Sequence, residues 1–176
     1  ALNVLELLGK ESAPVMRDML RARLSRALVH LTLVECPGGG WGWGRGNCSA
    51  SLVITARAVR ALARSRPLAG GLGWSFPQVQ YDRALDVLKK GLSSLPADDF
   101  MRRTEILYAL AHHGRDQVPQ MHLHRMHRLR EKLPLGAQAL LGLTWKLLDR
   151  KEKALEVAKL ARQKISLQTP LARRFS

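Results

Sequence analysis

Few side chains in this sequence stand at spacings that would do chemistry. His112 and His113 are adjacent, and His122, His124 and His127 follow a short way on. His124 and His127 lie three apart and share a helix face, which would suit two ligands of a metal site or an acid–base pair. A catalytic zinc needs a third ligand and acceptors behind its histidines. No carboxylate falls at ligand spacing beside these, so they read as imidazoles on a basic solvated face that gains charge near about pH 6. Asp98 and Asp99 follow Pro96. Ionising a substrate would take more acids at fixed spacing, whereas Asp at a helix start accepts from free backbone N–H groups and meets the positive dipole end. Trp41, Trp43 and Trp74 sit in glycine-rich loops, where they line a ligand groove or anchor the loops to apolar surface beneath. Arg125, Arg128, Arg130 and Lys132 form a basic run, a candidate interaction face, without the interleaved aromatics on which nucleic-acid bases stack. No nucleophile–base pair or phosphate-cradling glycine loop stands out. No catalytic residue, cofactor or metal is therefore assigned.

Cys36 and Cys48 flank the loop Gly38-Gly39-Gly40-Trp41-Gly42-Trp43-Gly44. They either close it as a disulfide in an exported protein or remain buried thiols. With no Cys-x-x-Cys pair, there is no zinc signature. Charge is the other outlier: 29 bases against 14 acids give +15. Residues 121–176 carry 13 of those bases and 4 of the acids, so nine of the excess charges lie in the last third. Such a balance favours acidic partners, whether nucleic acid, anionic lipid or an acidic protein face. Yet the bases alternate with leucines at helical spacing, which is how solvated outer faces of helices look.

The elements that carry these residues are helical throughout. Apolar residues recur every three or four positions over 14–34, 50–66, 81–95, 98–113, 120–133, 134–149 and 152–167, and no segment alternates with period two. Ser12-Ala13-Pro14 marks the first start, with proline in the opening turn, and Gly114 reads as a C-terminal stop. Residues 1–9 already read as the end of an apolar helix, so the chain is expected to be cut from something longer. The helices at 50–66, 98–113 and 134–149 are rich in leucine and small residues, as buried helices are. Those at 81–95, 120–133 and 152–167 carry a narrower apolar stripe and more bases. Three inner/outer pairs in a row make a degenerate αα repeat, whose stripes are buried only by stacking on neighbours. With an apolar fraction of 46%, 176 residues are enough for one domain with a core. No apolar run approaches the roughly 20 residues of a membrane span.

The order of segments resembles the helical thioester domain of bacterial alpha-2-macroglobulin-like proteins. The residues concerned are Leu33-Val34-Glu35-Cys36, the loop through Trp43, Ser49-Ala50-Ser51 and Thr55-Ala56-Arg57-Ala58-Val59-Arg60-Ala61-Leu62-Ala63. Tyr81 to Leu88, Arg103 to Ala111 and Leu135 to Leu143 are similar in turn. The resemblance implies an α/α toroid, the fold also of terpene cyclases and protein prenyltransferases, within a large exported protein that traps proteases. That family's reactive element is a Cys-x-Glu-Gln thioester. Here Cys36 precedes Pro37-Gly38-Gly39 and Cys48 precedes Ser49-Ala50-Ser51, so neither cysteine forms it; the element lies upstream or has been lost.

The expected architecture is thus a single all-α domain over 1–176, an incomplete α/α toroid belonging to a larger multidomain protein. Its expected role is non-catalytic: contact with other domains of the parent, with a protease or acidic protein surface, or support of an upstream thioester, outside the cytoplasm. Two other readings remain. An enzyme fragment of the terpene cyclase or prenyltransferase kind would show a deep apolar cavity with clustered carboxylates or zinc. A basic α-solenoid on nucleic acid would lose affinity steeply with salt.

Overall fold

The computed structural model describes residues 14–43 and 48–168. Among the described residues seven α-helices follow one another and there is no strand. They are α1 (Pro14–Leu33), α2 (Leu52–Ser65), α3 (Gln78–Ser94), α4 (Phe100–Ala111), α5 (Gln120–Arg128), α6 (Leu135–Leu147) and α7 (Lys151–Gln168). Short 3₁₀ turns at Arg66–Leu68, Gly70–Leu72 and Arg115–Gln117 join them. The all-α class expected from periodicity is what the chain adopts. The apolar stretch expected over 1–9, and Ser12 and Ala13 of the expected helix start, lie outside the described residues.

The chain divides into two compact units, Ala1–Leu88 and Lys89–Ser176, with the boundary inside α3. In the first unit, α2 buries Thr55, Ala56, Ala58, Val59, Leu62 and Ser65, positions three and four apart that keep one face inward. Tyr81, Ala84, Leu85 and Leu88 do the same for α3. Phe76 bridges the preceding loop to α3, edge-on to both Trp74 at 5.8 Å and Tyr81 at 5.1 Å, an arrangement that suits the ring quadrupoles. The α1 stripe is shorter than its sequence implies. Leu24 and Leu28 are buried, but Met19 is exposed and Leu33 strongly so, since at about 100° per residue these two lie on the opposite side of the helix from Leu24 and Leu28.

In the second unit the inner and outer characters are clearest. The helix α4 buries Arg103 through Leu107 and Ala109 through Ala111, whereas α7 buries Val157 and leaves Leu155 exposed. Asp99 caps α4 by accepting from the Arg102 N–H at 3.2 Å, the role its place after Pro96 suggests. The helices α6 and α7 form an αα-hairpin. Asp149 sits in the left-handed region at φ 54°, while the Arg150 N–H reaches the Trp145 carbonyl at 2.9 Å and the Asp149 N–H that of Lys146 at 3.1 Å. This is a Schellman closure with aspartate where glycine is usual.

One helix is shorter than expected. Periodicity predicts 120–133, but α5 ends at Arg128 and residues 129–132 form turns. Distant side chains take up carbonyls just beyond this end. Gln138 Nε2 donates to the Arg130 carbonyl at 2.8 Å, and Lys164 Nζ donates to those of Glu131 and Leu133, each at 2.8 Å.

Candidate functional site

The Gly-Trp loop is built as a clamp around one tryptophan. Gly39 and Gly40 take φ of 88° and 75°, and the Cys36 N–H closes the turn onto the Gly40 carbonyl at 2.9 Å. A Cβ on Gly40 would stand 2.7 Å from Thr55 Oγ1. Only glycine satisfies both the backbone angle and that approach. The space is used by Thr55, which is fully buried. Its hydroxyl accepts from the Trp41 N–H at 2.9 Å and donates to the Trp41 carbonyl at 3.2 Å. The Trp41 indole, 2% exposed, donates to the Leu31 carbonyl at 2.8 Å near the end of α1. The Ser51 N–H meets the Trp41 carbonyl at 2.8 Å, tying the loop to the start of α2. Cys36 and Cys48 form a disulfide with Cα atoms 5.3 Å apart, which settles the two pairing states left open by spacing.

The three loop tryptophans part company here. Trp41 and Trp74 are buried, whereas Trp43 is 92% exposed. They do not line one groove: Trp41 is spent on its clamp, Trp74 packs on Phe76, and Trp43 faces solvent.

The basic run in the second unit is also divided. Arg125 and Arg128 lie on α5 and are exposed, while Arg130 and Lys132 fall beyond its end. Arg130 is held by Glu156 at 2.6 Å and donates to the His127 carbonyl at 3.0 Å. His127 is not a surface imidazole. Its ring stands edge-on to Trp145 at 5.4 Å, and its Nε2 lies 3.3 Å from Glu156. Burial pushes its pKa down, against the pull of Glu156. His122 is likewise lowered, by burial first and then by Arg103 and Arg125. At these two rings the expected gain of positive charge is therefore displaced to lower pH. Among the described residues no group of three metal-ligating side chains gathers, and no helix is long and apolar enough to cross a membrane.

Three residues that position these segments escaped the sequence reading. Arg103 is 4% exposed. Its guanidinium donates to the carbonyls of Pro96 at 2.9 Å, Leu92 at 3.2 Å and Leu95, and it meets His122 Nδ1 at 3.3 Å. A cation among the last carbonyls of a helix meets its negative dipole end. An arginine on the same stripe as Ile106, Leu107 and Leu110 was the available signal. Thr55 carries a weaker one, as a hydroxyl in the first turn of the buried face of α2. Lys164 has none, because its acceptors lie over thirty residues away.

Between α6 and α7 runs an apolar groove of about 490 Å³, lined by Ala139, Gly142, Leu143, Ala154, Leu155 and Ala158 among others. A second cavity of about 500 Å³ opens beside the turn joining these two helices.

No protein-family model matches the chain. No curated protein sequence matches it either. Solved structures of bacterial alpha-2-macroglobulins share its fold. The native E. coli protein superposes with a TM-score of 0.66 over 90% of this chain at 20% identity, using 10% of its own length. The Salmonella protein reacted with methylamine gives 0.66 over 90% at 19% identity, using 11% of its length. A piece of the E. coli protein spanning domain MG7 to the C-terminus gives 0.65 over 90% at 21% identity, using 26%. The matched region of the E. coli protein therefore lies between its domain MG7 and its C-terminus. The chain spans about a tenth of the E. coli and Salmonella chains. Identity this low establishes a common fold, which is the resemblance that the Gly-Trp loop and its neighbouring segments express.

Proposed function

We propose that this chain is a non-catalytic helical segment of a larger, exported alpha-2-macroglobulin-like protein that traps proteases. Within it the chain supports a thioester element carried elsewhere in the parent and makes contacts with the parent's other domains. The observation that carries this reading is the fold shared over 90% of the chain with the E. coli and Salmonella alpha-2-macroglobulins. Two features of the chain support it. The Cys36–Cys48 disulfide suits an oxidising compartment outside the cytoplasm. The apolar groove between α6 and α7 leaves Leu143 and Leu155 exposed, a face suited to covering by a further helix of the parent.

The test is protease capture by the parent protein, followed by size-exclusion chromatography and labelling with radioactive methylamine. The expected result is co-elution of inactive-to-large-substrate protease with the parent, and label on a Cys-x-Glu-Gln segment. A parent that captures no protease and lacks that segment refutes the function while leaving the fold intact.

A further inference from the structure

The cavity beside the α6–α7 turn has a composition that neither the fold nor the proposed trapping role uses. Arg115 approaches it from the 3₁₀ turn before α5, while Arg150, Lys151 and Lys153 approach from the start of α7. Among the described residues none of these four cations has a carboxylate within ion-pair distance. Elsewhere in the unit Arg102 and Arg130 are paired. Two carboxylates, Asp149 and Glu152, also line the cavity. Four cationic heads against two carboxylates leave a formal excess of +2.

Like charges held around one concavity repel, and an oxyanion between them removes that cost while accepting several charge-assisted hydrogen bonds. Trp145 forms part of the wall. It is 2% exposed, and its indole N–H has no acceptor. Lys153 Nζ lies 4.4 Å above its ring, which fixes that ammonium at the cavity edge. Residues Lys151, Glu152 and Lys153 of the first turn of α7 line the same space, and the positive end of a helix favours anions.

We propose that this cavity is a binding site for a doubly charged oxyanion of the phosphate class. Arg115 and Arg150 supply forked guanidinium contacts, and Lys151 and Lys153 supply point charges. The oxyanion is either a free phosphate monoester or the terminal phosphate monoester of a lipid such as phosphatidic acid, and both present the same dianionic group.

Titration calorimetry of the 176-residue chain with inorganic phosphate at low ionic strength tests this. The expected result is saturable one-site binding that the Arg115→Gln/Arg150→Gln double variant weakens by about tenfold or more. Asp149→Asn removes a competing carboxylate and is expected to tighten binding by about two- to fivefold. A control pair in α1, Arg21→Gln/Arg23→Gln, leaves it unchanged. Co-sedimentation with phosphatidic acid vesicles separates the sources: uptake that inorganic phosphate competes away, and that the double variant loses, identifies the headgroup, while phosphate binding without uptake identifies the soluble ester. Binding that does not saturate, or that falls equally in the control pair, overturns the site and identifies a diffuse effect of the +15 charge. Vesicle uptake indifferent to phosphate and to the double variant overturns it as well.

Discussion

The hydroxyl of Thr55 holds both backbone groups of Trp41, which makes it the residue on which the Gly-Trp loop depends. Replacing it with valine keeps the shape and removes both bonds, leaving the Trp41 N–H buried without an acceptor. Thr55→Val is expected to cost about 1–3 kcal/mol in urea unfolding, while Thr55→Ser, which keeps the hydroxyl, costs less. The histidines give a second residue-scale prediction. His122 and His127 both have pKa values lowered in the folded state, so the unfolded chain takes up protons first as pH falls. Their stabilising effect is complete above the ordinary histidine pKa of about 6.5 and is lost progressively below it. Unfolding midpoints should therefore fall between about pH 7.5 and 5, and His122→Gln should flatten part of that slope. An unchanged slope in the variant would remove His122 from the account.

At the scale of elements, the end of α5 shows where sequence reading stops. The apolar period continues to Leu133, which is fully buried, so the pattern predicts helix where the chain turns. The turn there is held by the Gln138 amide and the Lys164 ammonium, donating to carbonyls at 130, 131 and 133 from other helices. Such donors have no local signature. Lys164→Met keeps much of the stem and removes the donor. It is expected to speed hydrogen exchange over residues 129–134 and to cost about 1–2 kcal/mol, since two carbonyls lose a charged partner. The other helices were legible because their burial repeats every three or four residues, and Asp99 because its cap lies within one turn. Cys36 and Cys48 were not decided by spacing alone, since their pairing depends on how the intervening loop, with its turn at Gly39 and Gly40, folds back. The basic run was legible as charge but not as a surface, because the pairing of Arg130 with Glu156 comes from the later helix α7.

At the scale of the whole molecule, two terms act on the chain at once. The disulfide closes a loop twelve residues apart in sequence, and its loss frees the unfolded chain by about 3 kcal/mol on the loop-entropy account. Reduction should lower the thermal midpoint by several degrees, and Cys36→Ser/Cys48→Ser should reproduce the shift without reductant. The net charge of +15 opposes compaction by self-repulsion, which salt screens over a length of about 10 Å at 0.1 M. Raising sodium chloride from about 50 to 300 mM should therefore raise the thermal midpoint. A midpoint that falls would mean that attractive pairs such as Arg130–Glu156 outweigh the repulsion. The unequal burial of the tryptophans also gives this chain an optical signature of its own. Trp41, Trp74 and Trp145 are 2%, 8% and 2% exposed, whereas Trp43 is 92% exposed. Native fluorescence thus divides into three shielded emitters and a single solvated one. A neutral quencher such as acrylamide extinguishes the red-edge emission of Trp43 first, so whatever covers that loop announces itself as the disappearance of the quenchable fraction.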